Sequence, residues 1–180
     1  MKVAIVHPWF LMRGGAEKLV DVLAGMYPDA DLFALFCDKS HLSPHIRTRN
    51  IQASILNRLP FSSKLHRQLL PLYPWAVESF DMTKYDLVIS SGGPVVMGVN
   101  TRQDAPHIYY CHTPQRSWWD LYAEHQAQLP QLSKHLFVLA SSFVRTWEFS
   151  AVQRVDYVVS NSHYIRNRIY KCRILRNTEL

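Results

Sequence analysis

The chain has 180 residues, 48% of them hydrophobic and 12% aromatic, which fits one domain with a real core and excludes both a disordered segment and two large domains. Its net charge of +6 and pI near 9.3 come from basic residues spread along the chain, with mild clusters at Arg47 and Arg49, at Lys64, His66 and Arg67, and from Arg166 to Arg176. None is dense enough for nucleic acid, so the balance fits an anionic ligand, an anionic membrane surface or plain solubility.

Val3 to Val6 is an apolar, β-branched run and reads as a first strand, with His7 to Arg13 as a loop after it. Ala16, Leu19, Val20, Leu23 and Met26 recur at helical spacing and predict a helix from about Ala16 to Tyr27, stopped by Pro28 and Asp29. Asp31 to Phe36 is a second strand, and Ile51 to Ile55 a shorter one. Ser62 to Leu70 reads as a polar-faced helix with Leu65, Leu69 and Leu70 inward, ended near Pro71 and Pro74. Leu87 to Ile89 and His107 to Cys111 are strands, followed by Ser90-Ser91-Gly92-Gly93-Pro94 and His112-Thr113-Pro114. Leu136, Leu139, Phe143 and Trp147 share one face of a long helix, Leu132 to Val152. Asp156 to Ser160 is the last strand, and Ser162 an N-cap for a helix over His163 to Lys171. Strands alternating with helices, several of them apolar on both faces, predict an α/β fold: a doubly wound parallel sheet of Rossmann-like type.

Cys37, Cys111 and Cys172 stand far apart with no metal-ligand spacing, the pattern of reduced thiols in a cytoplasmic protein. The first apolar stretch is too short for a secretory signal, and no window approaches a membrane span.

In such sheets ligands bind beyond the carboxyl ends of the strands. That rim gathers His7, Arg13, Gly14 and Gly15 after the first strand, and Ser90, Ser91, Gly92 and Gly93 after the fourth. It gathers His112, Thr113 and Arg116 after the fifth, and Asn161, Ser162 and His163 after the last. Gly14 and Gly15 open a helix whose unpaired N–H groups and positive dipole end can cradle a phosphate; they also serve as an ordinary tight turn. His7 also reads as a strand cap, Ser90 to Gly93 as a plain loop, and Asn161-Ser162 as helix capping. His112 is the leading candidate, since its ring projects from a strand end where a histidine can donate, accept or shuttle a proton. Asp81, Asp86 and Asp120 lie near the rim, with nothing to tie two of them together.

The Gly14-Gly15-Ala16-Glu17 turn, the Ser90-Ser91-Gly92 strand end, Tyr110-Cys111-His112-Thr113-Pro114 and Val159-Ser160-Asn161-Ser162 occur in that order. Together they resemble the N-terminal domain of glycosyltransferase family 4, the retaining sugar transferases of GT-B fold, over about Lys2 to Lys171. The resemblance implies one Rossmann-like half of a two-domain enzyme. This half binds the acceptor, and a second domain binds the nucleotide-sugar donor. It implies that Gly14 and Gly15 lie near the donor diphosphate and that His112 is the catalytic residue beside the transferred sugar. Arg13, Ser91, Gly92, Thr113, Arg116, Asn161 and Ser162 then line the cleft. No metal and no other cofactor is expected, because helix-terminal N–H groups can offset the charge of a departing nucleoside diphosphate.

The chain reaches Leu180 before the family's Arg/Lys pair and E-x7-E carboxylates. Residues 1–171 are expected to form the acceptor-side domain and 172–180 an atypical tail, with the donor-binding domain absent through truncation or a frameshift. Half a cleft cannot position a donor, so the isolated chain is expected to be inactive. The basic, apolar and aromatic mixture from Leu56 to Trp75 reads as a core-facing helix with a solvated side, or as a peripheral contact with an anionic membrane at its inner face. The acceptor is then lipid-linked or a polysaccharide. Two alternatives remain open: a non-catalytic binding module for a nucleotide or sugar phosphate, and a membrane-surface interaction protein.

Overall fold

The computed structural model describes residues 1–66, 68–116 and 118–171; Arg67, Ser117, Cys172 and the tail through Leu180 lie outside the described residues. In chain order the strands are β1 (Val3–Phe10), β2 (Asp31–Cys37), β3 (Ile51–Ala53), β4 (Leu87–Gly92), β5 (His107–Cys111) and β6 (Tyr157–Ser160). The helices are α1 (Gly15–Met26), α2 (Pro44–Arg47), α3 (Ser62–Leu65), α4 (Tyr73–Glu78), α5 (Tyr122–Ala127), α6 (Gln131–Val152) and α7 (His163–Lys171). The six strands pair only in parallel, in the order β3-β2-β1-β4-β5-β6. This is the doubly wound arrangement, with its switch point between β1 and β4.

Both faces of the sheet are covered, which is why its strands read as unbroken apolar runs. Val3 and Ile5 of β1 pack with Val20 and Ala24 of α1 and Ile46 of α2 on one face. Ala4 and Val6 pack on the other with Ala76 and Val77 of α4, Met97, and Ala151 and Val152 of α6. One basic cluster has a structural duty: the Arg49 guanidinium donates to the carbonyls of Ala24 at 2.6 Å and Ala30 at 3.2 Å, capping the end of α1.

Three expectations are corrected. His7 to Phe10 is not a loop but the second half of β1, because pairing with β2 runs on to Phe10 opposite Cys37. The helix expected over Ser62 to Leu70 stops at Leu65; Leu70–Leu72 is a 3-10 turn, and Pro74 lies in the first turn of α4 rather than ending a helix. Pro71 has no N–H with which to extend a helix from Ser62, and Leu65 faces solvent. On α6 the stripe through Leu136, Leu139 and Phe143 is exposed, while Ser141, Val144, Glu148 and Ala151 face the core. The helix α5 had no clear signal, being short and polar.

The β1–β4 ladder ends at Val6 opposite Ser90. Pro8 has no N–H to carry it further, so the two strands part there. Their separation is tight: Gly92 has φ +156°, and a Cβ on it would lie 2.5 Å from Cδ of Pro8. Gly92→Ala is therefore expected to lower unfolding free energy by about 3 kcal/mol, from overpacking plus backbone strain. Urea denaturation measures this, and a loss below about 0.5 kcal/mol would mean that Pro8 yields freely.

Candidate active site

At the carboxyl ends of β1, β4 and β5 a chain of polar contacts joins four elements. His7 Nδ1 donates to the Ser91 carbonyl at 2.7 Å, and its Nε2 lies 3.5 Å from Oε1 of Glu17. The other Glu17 oxygen accepts the Gly14 N–H at 2.8 Å, the reciprocal half of a capping box at the start of α1. Ser91 Oγ pairs with Nε2 of His112 at 3.0 Å, and the His112 N–H donates to the Gly92 carbonyl at 3.2 Å. Gly14, Glu17, His7, Ser91, Gly92 and His112 thus form one connected set.

Its electrostatics follow from donor and acceptor inventory. A carbonyl only accepts, so Nδ1 of His7 carries the proton shared with Ser91, while Nε2 stands at the outer limit of a hydrogen bond to Glu17. Burial pushes the Glu17 carboxyl up, but hydrogen bonds from His7 and from the N–H groups of Glu17 and Gly14 outweigh it, and the group stays below its ordinary 4.5. Burial, and then the positive charge of His7, hold His112 below its ordinary 6.5, against a smaller pull from Glu17. His112 is therefore a neutral imidazole near pH 7, able to donate at one nitrogen and accept at the other.

The other candidates stand in different relations to this set. The Gly14 N–H is taken by Glu17, and the N–H groups of Gly15 and Ala16, in the first turn of α1, have no intrahelical carbonyl to bond. Thr113 is engaged by structure: its hydroxyl accepts from Nη1 of Arg168 at 3.0 Å and donates to the Pro114 carbonyl at 3.1 Å. Arg168 also pairs with Asp120, so α7 holds the turn that follows His112. Arg13 and Arg116 are exposed beside the rim. Ser162 caps α7 by accepting the Ile165 N–H at 3.2 Å, and no hydrogen bond ties it or Asn161 to the connected set. Asp86 lies at the opposite edge of the sheet, accepting the Lys2 N–H at 2.7 Å ahead of β4, and Asp81 caps the turn at Thr83.

Sequence reasoning placed His7 at the rim, with a strand cap as the alternative, and gave Glu17 no role beyond its helix. The missed signal was a histidine and a glutamate on either side of one strand-to-helix turn. It also missed Glu148, which is buried in α6 against a groove lined by Pro8, Trp9, Tyr73, Trp118 and Trp147. The Trp119 indole N–H donates to Glu148 at 2.9 Å. Burial pushes its carboxyl up to about 7, the Trp119 bond opposing. Among the described residues no group of His, Cys, Asp and Glu is placed to hold a metal ion, and no described helix is long and apolar enough to cross a membrane.

The parallel sheet with its switch point between β1 and β4 defines a Rossmann-like α/β domain. The sequence pattern of Glycosyltransferase Family 4 matches residues 13–178, and the chain belongs to that family as a domain of its N-terminal type. No curated protein matches it. Among solved structures it is similar to the apo form of the lipopolysaccharide outer core galactosyltransferase WaaB, at 14% identity and TM-score 0.49, over 100% of this chain and 45% of that one. It thus spans less than half the length of that structure.

Two measurements test the electrostatics. His7→Asn removes the positive neighbour and leaves Glu17, so the His112 midpoint in an NMR titration is expected to rise; an unchanged midpoint would show that the two rings do not couple. Glu148 titrates at about 7 when folded against an ordinary 4.5, so the folded chain holds a proton that the unfolded chain releases. Stability falls as pH rises through that window, by about 3 kcal/mol in all. Glu148→Gln, which keeps the acceptor for Trp119, is expected to gain on wild type by that order between pH ~4.5 and ~8.5 in urea melts; parallel pH profiles would refute the burial argument.

Proposed function

We propose that the chain is the acceptor-side half of a retaining glycosyltransferase that moves a sugar from a nucleotide-sugar donor to a glycan or lipid-linked acceptor. The observation that carries the reading is the connected set from Gly14 to His112, at the switch point where this fold class takes its ligands. The N–H groups of Gly15 and Ala16 lie in the first turn of α1, at its positive end, and would take the donor diphosphate. Glu17 is turned away from that anion by its bonds to the Gly14 N–H and to His7.

His112 acts as the residue beside the transferred sugar. A neutral ring fixed at Nε2 by Ser91 presents Nδ1 to a sugar hydroxyl without adding charge. The acceptor oxygen bonds to the anomeric carbon with its configuration retained as the bond from that carbon to the diphosphate breaks; the nucleoside diphosphate leaves with the electron pair, and its phosphate oxygen takes the proton of the acceptor hydroxyl. The reaction needs no metal in this reading. In this reading the donor sugar and nucleotide are held by a donor-binding domain of the family's second type. The protein works in the cytoplasm, at the inner face of the membrane where a lipid-linked acceptor resides.

The test is transfer of a radiolabelled sugar. The 180-residue polypeptide on its own is expected to give no turnover. Joined to a donor-binding domain of the family it is expected to gain turnover, which His112→Ala then lowers by about 10²-fold or more. Robust transfer by the isolated polypeptide, or full activity in His112→Ala, would overturn the assignment. Donor binding without turnover in the joined chain would favour a non-catalytic binding module.

A further inference from the structure

No Asp or Glu occurs between Asp38 and Glu78, while Lys39, Arg47, Arg49, Arg58, Lys64 and Arg67 all fall in that stretch. Its middle is apolar as well as basic: Leu56, Leu69, Leu70 and Tyr73 pack inward, and a second set of apolar groups points outward. Phe61 is 72% exposed, Trp75 56% and Leu65 44%, with Leu59 and Leu72 also exposed. Arg58 and Lys64 are exposed among them. An amphipathic segment that served the core would turn these side chains inward.

The backbone adds an independent sign. Phe61 has φ 57° and is the only non-glycine residue at positive φ among the described residues. A bulky residue held in the left-handed region is strained, and such strain persists where a function requires the geometry. Here it holds a large aromatic ring out in solvent, where it contributes no burial.

Neighbouring elements continue the surface. Leu70, Tyr73 and Pro74 share a groove with Val144 and Trp147 of α6. The outer stripe of α6 carries Leu136, Leu139 and Phe143, at 64%, 69% and 54% exposure. The stretch from Glu124 to Glu148 is likewise free of acidic residues between its ends, and holds Lys134 and Arg145. The segment is coupled to the site: the His66 ring lies 5.7 Å from that of Trp9, two residues after His7, and Tyr73 donates to the His66 carbonyl at 2.6 Å.

We propose that the segment from Arg58 to Trp75, extended by the outer stripe of α6, is a docking surface for an anionic phospholipid bilayer. Phe61, Leu65 and Trp75 enter the headgroup boundary, and Arg58 and Lys64 pair with lipid phosphates. The inference rests on the membrane-side location proposed above, and it stands or falls independently of sugar transfer. Docking there would bring a lipid-linked acceptor in beside Trp9 and the end of β1.

The experiment is co-sedimentation of the 180-residue chain with vesicles of pure phosphatidylcholine and of phosphatidylcholine with phosphatidylglycerol, alongside sedimentation velocity without lipid. Binding is expected to the anionic vesicles only and to weaken with added salt. Phe61→Ser is expected to lower partitioning by about tenfold, and Lys64→Ala by about fivefold. Both sites are exposed, so circular dichroism should show unchanged folds. In wild type, brominated lipid should quench fluorescence that Trp75→Phe lacks. Equal binding to both vesicle types, no binding, or a lipid-free dimer dissolved by Phe61→Ser would overturn the proposal. Loss of vesicle binding with transfer intact in a joined enzyme would leave the transferase reading standing.

Discussion

The contact on which the site depends is the hydrogen bond from His7 to the Ser91 carbonyl. A parallel strand continues only while each backbone supplies a donor, and Pro8 withdraws one at the edge of the switch point. The imidazole takes up the carbonyl where the ladder ends. β1 and β4 can then separate without leaving a buried acceptor unpaired, an omission that would cost about 1–3 kcal/mol. Gly92 completes the arrangement by giving the Pro8 ring the space a Cβ would fill. The opening between strands therefore comes from three residues working together.

The same ring organises the polar groups of the wall. One nitrogen faces a carbonyl and the other a carboxylate, so His7 links the end of β4 to Glu17. Glu17 in turn fixes the N–H of Gly14, the residue that caps α1. A second histidine stands beside this pair, held below its ordinary 6.5 mainly by burial.

The interior and the segment from Arg58 to Trp75 obey opposite logic. In the sheet, alternate residues of β1 meet two separate cores, and apolar side chains are removed from water on both faces. In the segment, Leu69, Leu70 and Tyr73 anchor the chain to the core while Phe61, Leu65 and Trp75 stand in solvent beside Arg58 and Lys64, and a strained backbone holds Phe61 there. Glu148 shows the reverse: a carboxyl carried inward among tryptophans, kept by one indole hydrogen bond and by its shifted ionisation.

Much of the architecture was legible in the sequence because it depends on short-range patterns. The runs at Val3 to Val6, Asp31 to Phe36 and His107 to Cys111, the helical spacing after Gly15 and the Ser162 cap are properties of neighbours along the chain, and they specify a doubly wound sheet. The order of small polar residues after successive strands located the rim for the same reason. What only the tertiary structure decided was contact across the sheet. It decided that Ser91 meets both His7 and His112, that Arg168 grips Thr113 and Asp120, and that the stripe on α6 faces outward. Those partners are 21 to 84 positions apart for the serine contacts and 48 to 55 for the arginine. Periodicity marks which face of an element is apolar, but it carries no information about which element, if any, comes to cover that face.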